Sequence, residues 1–270
     1  MNRRFCLSVM FAAVVMFLSH PVMAYLVIDG FETNWSGTHA DNYTNMSYKY
    51  TPSQSPATKM TQTTDYVHSG SYATKLQITS TGQYPGASFW GAVLRSFNHN
   101  AMKKEYNPWV SVWYYDKPAS GSAFPAGYLS VIPNTPVPFA DERADIQLGT
   151  LWNRSDYYYH TTGNTPPTRP YGGSTGVARS EGWHQFKVAL TEAGGADYFV
   201  DGTKVASSHR SDYLGVGYIG LGSFCPDNDG TSSTVYYDDL SFGSDYIPEP
   251  MSMILLGLGI LGLVSRKRRK

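Results

Sequence analysis

Cysteine is nearly absent from these 270 residues. Cys6 lies in the N-terminal apolar stretch and Cys225 stands alone in the body, so removal of the first stretch leaves no intramolecular disulfide to form. Cys225-Pro226 runs into Asp227-Asn228-Asp229-Gly230 and reads as a strand end entering a turn, with the thiol a small half-buried side chain. That turn resembles part of an EF-hand loop but lacks the downstream Glu. Long apolar repeats at helical spacing are missing, as are internal repeats and an interdomain linker. No P-loop, zinc motif or Ser-His-Asp spacing occurs, and His184, at a strand start, reads as structural. Excess positive charge is missing too. Seven of the 21 Lys and Arg, but one of the 21 acids, lie in the terminal segments, so the body carries 14 cations against 20 anions, a net of −6. Such a surface argues against nucleic acid or anionic lipid as a partner.

What is present is β-sheet material. Tyr and Phe are frequent, and Gly and Pro punctuate the chain often. Strands are predicted over 25–28, 73–79, 109–115, 128–132, 145–152, 157–161, 183–190, 196–200, 204–206, 217–224 and 234–242. Asp201-Gly202 is a strong two-residue turn signal. Segments 131–139, with three prolines, and 163–176, rich in Gly, Pro and Thr, read as loops. About a dozen strands with frequent turns imply an all-β fold, a two-sheet antiparallel β-sandwich of the jelly-roll kind over residues 25–246.

The two ends read as transport signals. Arg3 and Arg4, an apolar run from Phe5 to Leu18 and Val22-Met23-Ala24 form a Sec signal peptide, with cleavage expected after Ala24. At the other end, residues 247–270 combine Pro248-Glu249-Pro250, an apolar segment from Met251 to Val264 and a block of five cations. As a helix that segment spans about 21 Å, short of the roughly 30 Å of bilayer hydrocarbon. The cations hold the cytoplasmic side and snorkel to rescue a short transmembrane helix. This order resembles the PEP-CTERM sorting signal of Gram-negative bacteria. The resemblance implies export, a transient inner-membrane anchor, recognition by an exosortase, and release to the cell surface or extracellular matrix, where exopolysaccharide is found.

Within the body, Glu181-Gly182-Trp183-His184-Gln185-Phe186, Asp197-Tyr198-Phe199-Val200-Asp201-Gly202, Gly217-Tyr218-Ile219-Gly220-Leu221 and residues 235–242 resemble concanavalin-like and laminin-G-like jelly rolls. Asp29-Gly30-Phe31-Glu32 with Trp35, His68-Ser69-Gly70-Ser71-Tyr72-Ala73 and the same closing strand resemble the galactose-binding-like jelly rolls of carbohydrate-binding modules. The order of Gly-Trp-His before the Asp-Gly hairpin favours the first version.

Two regions are candidate sites. The closing strand places Tyr236, Asp238, Leu240 and Phe242 on one face and Tyr237, Asp239 and Ser241 on the other, if it alternates strictly. In such jelly rolls the first and last strands lie side by side, which brings Asp29 and Glu32 to Asp238 and Asp239. Four carboxylates suit a structural calcium; equally, they suit hydrogen bonds to backbone amides. For sugar, Trp152, Asn153, Arg154, Tyr157 and Tyr159, with His160, form an aromatic platform with polar neighbours, and Trp113 and Tyr115 are further candidates. The competing reading is that these rings fill the core. No catalytic residue is assigned: residues 141–145 lack the Glu-x-Asp-x-x-Glu pattern of concanavalin-like hydrolases, and lyase motifs are absent. The expectation is a non-catalytic exopolysaccharide-binding protein. The alternatives are a polysaccharide lyase or glycoside hydrolase on the same fold, where Tyr157, Tyr159, His160 and Arg154 supply the residue types a lyase needs, and a structural matrix protein.

Overall fold

The computed structural model describes residues 25–32, 43–47, 57–79, 88–95, 99–117, 126–134, 146–150, 154–161, 171–209, 214–226 and 232–245. Its strands are β1 (Tyr25–Asp29), β2 (Tyr43–Ser47), β3 (Ala57–Thr63), β4 (Ala73–Thr79), β5 (Ser88–Arg95), β6 (Trp109–Asp116), β7 (Ala126–Asn134), β8 (Ile146–Gly149), β9 (Asp156–Thr161), β10 (Tyr171–Ala178), β11 (Gly182–Leu190), β12 (Gly195–Val200), β13 (Thr203–His209), β14 (Gly215–Pro226) and β15 (Ser232–Ser244). They form an all-β, two-sheet antiparallel sandwich. The first sheet runs β13-β12-β11-β6-β15-β4-β3, with β1 also on β15; the second runs β10-β9-β8-β7-β14-β5-β2. The expected neighbourhood of first and last strands is therefore present. Residues Leu26–Asp245 form one compact unit.

Alternation along each strand sorts the side chains. Val110, Val112 and Tyr114 of β6, Phe186, Val188 and Leu190 of β11, and Tyr198 and Val200 of β12 are buried against Leu129, Val131, Ile146, Leu148, Ile219 and Leu221 of the other sheet. Each such side chain contributes about 1.5–3 kcal/mol by leaving water. Tyr237 of β15 reaches across to the second sheet. Its hydroxyl accepts the Tyr128 N–H at 2.9 Å and sits within donating distance of the Gly222 and Tyr128 carbonyls. Gly127 makes room for this crossing, since a Cβ there would lie 2.4 Å from the Tyr114 ring.

The Asp201-Gly202 turn forms as expected, with φ of 49° and 77°, the two positive values a primed hairpin turn requires. Three expectations need correction. β15 does not alternate strictly. Its pairing with β6 slips between Asp238 and Ser241, and Asp239 adopts φ 46°, which marks a β-bulge. The extra residue keeps Val235 and Tyr237 in the core and then Leu240 and Phe242 in it too, while Tyr236 faces outward. Residues 131–134 belong to β7, not to a loop. Pro133 is tolerated because its partner strand is irregular between Val216 and Tyr218. Residues 171–176 belong to β10, a sheet-edge strand on β9. Gly172 is a local necessity rather than a loop signal, since a Cβ there would lie 2.7 Å from the Tyr159 carbonyl oxygen. The sequence reading also passed over β2, β3 and β5.

Candidate functional site

Only part of the predicted ring platform falls among the described residues. Trp152 and Asn153 lie outside the described residues, and Arg154 is exposed just ahead of β9. Along β9, Tyr157, Tyr159 and Thr161 turn into the sandwich. Tyr157 is fully buried, its ring edge-on to Phe186 at 5.2 Å, and the Tyr159 ring lies 5.0 Å from Tyr198. Tyr157 thus fills the core at this end of the sandwich and half-buried Tyr159 lies against Tyr198, while Tyr158 and His160 face outward.

Three of the four candidate acids, Glu32, Asp238 and Asp239, bond residues 68–72, whereas Asp29 bonds its own turn. Asp29 accepts the Phe31 N–H at 3.0 Å. Glu32 Oε1 accepts Ser71 N–H and Tyr72 N–H at 2.8 and 2.9 Å. Asp238 Oδ2 accepts His68 N–H and Ser69 N–H at 2.9 and 3.2 Å, and its Oδ1 accepts Asp239 N–H at 2.8 Å. Asp239 accepts the Ser69 hydroxyl at 2.8 Å and lies 2.7 Å from His68 Nδ1. Desolvation raises the Asp238 carboxyl above its ordinary pKa, against the lowering effect of its amide donors. Among the described residues no group of three or more His, Cys, Asp or Glu is arranged to hold a metal ion. An ideal Cβ on Gly30 would lie 3.6 Å from Asp239 Oδ1 and from the Glu32 Cγ methylene, so these two side chains flank that backbone.

Held in this way, the loop lays its rings on the outer face of the first sheet. Tyr66 stacks on Tyr115 at 4.1 Å and His68 on Trp113 at 3.9 Å. Trp183 and Tyr236 flank Tyr115 across the neighbouring strands. Lys117 donates to the Tyr66 hydroxyl at 3.3 Å. The suggestion of Trp113 and Tyr115 thus finds an aromatic face, though Tyr66, His68, Trp183 and Tyr236 were missed. Register brings Trp183 and Tyr236 beside Tyr115, and the segment between β3 and β4 supplies Tyr66 and His68; single-strand patterns reveal neither.

The second sheet has its own outward face. There His160 pairs directly with Gln147, Gln147 with Ser130, and Ser130 with Gly220. Tyr158 lies two residues from His160 on the same face, where a Cβ on Gly172 would come within 2.9 Å of its hydroxyl. Desolvation lowers the His160 pKa, so the imidazole is neutral at neutral pH. Among the described residues of this face the one carboxylate is Asp156, which accepts the Ser174 hydroxyl at 2.6 Å.

Comparison with known proteins adds a sorting motif and a fold. Residues 247–270 match the PEP-CTERM protein-sorting motif. This agrees with the sequence reading of Pro248-Glu249-Pro250 ahead of an apolar segment and a basic tail. The body is similar in fold to an endo-1,3-β-glucanase from Streptomyces sioyaensis, 10% identical with a TM-score of 0.54, over 84% of this chain and 100% of that one. It is also similar to Cellulose induced protein, Cip1, 14% identical with a TM-score of 0.53, over 82% and 97% of the two chains. No curated protein matches the sequence. Among the described residues no helix is long and apolar enough to cross a membrane, and the apolar segment 251–264 lies outside them.

Proposed function

We propose that the body is a polysaccharide-cleaving enzyme, delivered to the cell surface by its C-terminal signal. The observation that carries this is His160, a desolvated neutral imidazole on an outward sheet face beside Gln147 and Tyr158. A neutral base next to amide and phenol hydrogen-bond donors suits β-elimination. His160 would take the proton next to a uronate carboxyl, Gln147 would bond that carboxyl, and Tyr158 would protonate the departing glycosidic oxygen. Exposed Arg154 would offset the acidic surface toward an anionic chain. Glycoside hydrolysis fits less well, because it needs a carboxylate pair and this described face offers Asp156 alone. The fold it shares with a glucanase supports polysaccharide as the substrate class, and the concanavalin-like version of the jelly roll is part of the same reading. The purified chain is to be incubated with exopolysaccharide from its host. New unsaturated, ultraviolet-absorbing ends are the expected result. Reducing ends without absorbance would replace elimination by hydrolysis, and no new ends at all would overturn the enzyme reading.

A second reading is favoured by a separate observation, the aromatic face built from Tyr66, Trp113, Tyr115, Trp183 and Tyr236. Flat rings stack on pyranose faces, and this surface would retain polysaccharide without cutting it. Retention that disappears in Trp183→Ala, with no new ends formed, selects this reading.

The sorting signal implies processing by an exosortase after Sec export and a pause in the inner membrane. Intact-mass measurement of protein recovered from the surface of the native cells is expected to show loss of the tail. Molecules still ending at Lys270 would contradict this. We also propose a structural calcium among Asp29, Glu32, Asp238 and Asp239. Three of these carboxylates face residues 68–72, with His68 as the neighbouring proton source. Calcium at a hundredfold excess over Kd should add about 2.7 kcal/mol of stability. Melting curves should rise with calcium in the wild type and not in Asp239→Ala; identical curves in calcium and chelator would remove the site.

A further inference from the structure

The structure assigns a Ser-His-Asp hydrolytic centre to Ser180, His184 and Asp201, and we infer that it cleaves carboxylic esters. No sequence spacing announces it, yet the hairpin builds it. Phe186 pairs with Val200 across β11 and β12, so the turn residue Asp201 falls beside the start of β11. There Asp201 Oδ1 accepts the Gln185 N–H at 2.8 Å, and Asp201 N–H donates to the Gln185 carbonyl at 2.9 Å. Asp201 Oδ2 lies 2.8 Å from His184 Nδ1. A carboxylate accepts, so Nδ1 carries the proton and Nε2 of the neutral ring is the acceptor. Nε2 lies 3.0 Å from Ser180 Oγ, which donates to it in that tautomer, and 3.1 Å from the Ser180 carbonyl oxygen, which can only accept and so is bonded when Nε2 carries a proton. These are the contacts a nucleophile, a base and an orienting acid require.

The arrangement is held from behind and open in front. Arg179, the residue before Ser180, is clamped to buried Asp116 by two bonds of 2.9 and 2.7 Å, and its N–H donates to the Ser155 carbonyl at 2.7 Å. The Tyr157 ring lies 5.3 Å from the imidazole on the inner side. Ser180 is exposed, and ideal Cβ atoms on Gly182 and Gly202 meet no other atom within 4 Å, so the start of β11 and the hairpin turn are both uncrowded. An open surface suits an acyl group carried on a large molecule, such as an O-acylated glycan. The centre is distinct from the His160 face and does not depend on it.

The chemistry balances with water as the second reactant. Ser180 Oγ attacks the ester carbonyl carbon while its proton passes to His184 Nε2. The carbonyl re-forms as the ester C–O bond breaks, and Nε2–H protonates the departing alcohol. Water then attacks the acyl-Ser180 carbonyl, giving one proton to Nε2. Ser180 leaves with that proton, and the acid is released. Between transfers, Nε2–H of the imidazolium can donate to the Ser180 carbonyl, which keeps the ring in place.

The test uses the full chain with p-nitrophenyl acetate and a fluorophosphonate probe. Ester hydrolysis and covalent labelling mapped to Ser180 are expected. Ser180→Ala should abolish labelling, and Asp201→Asn should lower turnover on the order of 10⁴-fold by favouring the wrong tautomer. A purely structural role is separated by Ser180→Cys. Its thiol should be alkylated by iodoacetamide at least about tenfold faster than the same thiol in a Ser180→Cys/His184→Gln chain, as expected for a thiol activated by an adjacent imidazole. Absence of labelling, hydrolysis that survives Ser180→Ala, or equal alkylation rates would overturn the inference. Ester cleavage without chain cleavage would support it while removing the elimination reading, and chain cleavage without Ser180 labelling would do the reverse.

Discussion

Arg179→Met should destabilise the body by about 3–5 kcal/mol, read as a shifted denaturation midpoint with an unchanged slope. Its partner Asp116 is fully buried at the end of β6, and both carboxylate oxygens accept from the guanidinium. Removing the cation leaves a charge inside the sandwich with no water to solvate it. The Tyr114 and Tyr157 hydroxyls are pushed well above their ordinary pKa by burial and then by the Asp116 charge, so they stay neutral. The pair also ties the first sheet to the segment leaving β10. Replacing both partners by apolar residues, Asp116→Leu with Arg179→Met, should recover most of the loss, because the desolvation cost of both charges then disappears. A loss under about 1 kcal/mol in the single variant would mean that the carboxylate finds solvent, and the pair would count as a surface one.

How much of this was legible in the sequence depended on the range of the pattern. The Asp201-Gly202 turn and β6 were readable because turn chemistry and alternation are local. The pairing of β1 with β15 came from resemblance to a fold. The bulge at Asp239 was not readable. An extra residue in a strand leaves no mark in composition, yet it moves Tyr237 into the core and turns Asp238 and Asp239 toward residues 68–69. β10 was hidden by its glycines, which read as loop although they let an edge strand cross the Tyr158 and Tyr159 positions. The orientation of β9 was hidden for a different reason. Tyr157-Tyr158-Tyr159-His160 has no apolar-polar contrast, so nothing local says which rings point inward. Packing decides it, through Phe186 and Tyr198 on the opposite sheet. Ser180, His184 and Asp201 meet through hairpin register, and a linear scan for spacing passes over them.

His160→Ala should lower the rate of chain cleavage by about 10²–10⁴-fold, the usual contribution of a positioned general base. The pH dependence carries the sharper signature. Desolvation holds the His160 pKa below its ordinary 6.5. A base works only when unprotonated, so the acid limb of the rate profile should have its midpoint below 6.5 and level off above it. Stability moves with the same sign. Between the lowered folded pKa and 6.5, the unfolded chain binds a proton that the folded chain does not. Stability from this group is therefore complete above 6.5 and is lost as the pH falls toward the folded pKa, below which the loss stops growing. His160→Gln has no such titration, so the difference in unfolding free energy between wild type and variant should shrink on acidification across that window. Rate and stability must report the same titration if one imidazole causes both. An acid limb centred above 6.5, or cleavage undiminished in His160→Ala, would take the base away from His160 and leave the aromatic face of the first sheet as the better account of how this protein meets polysaccharide.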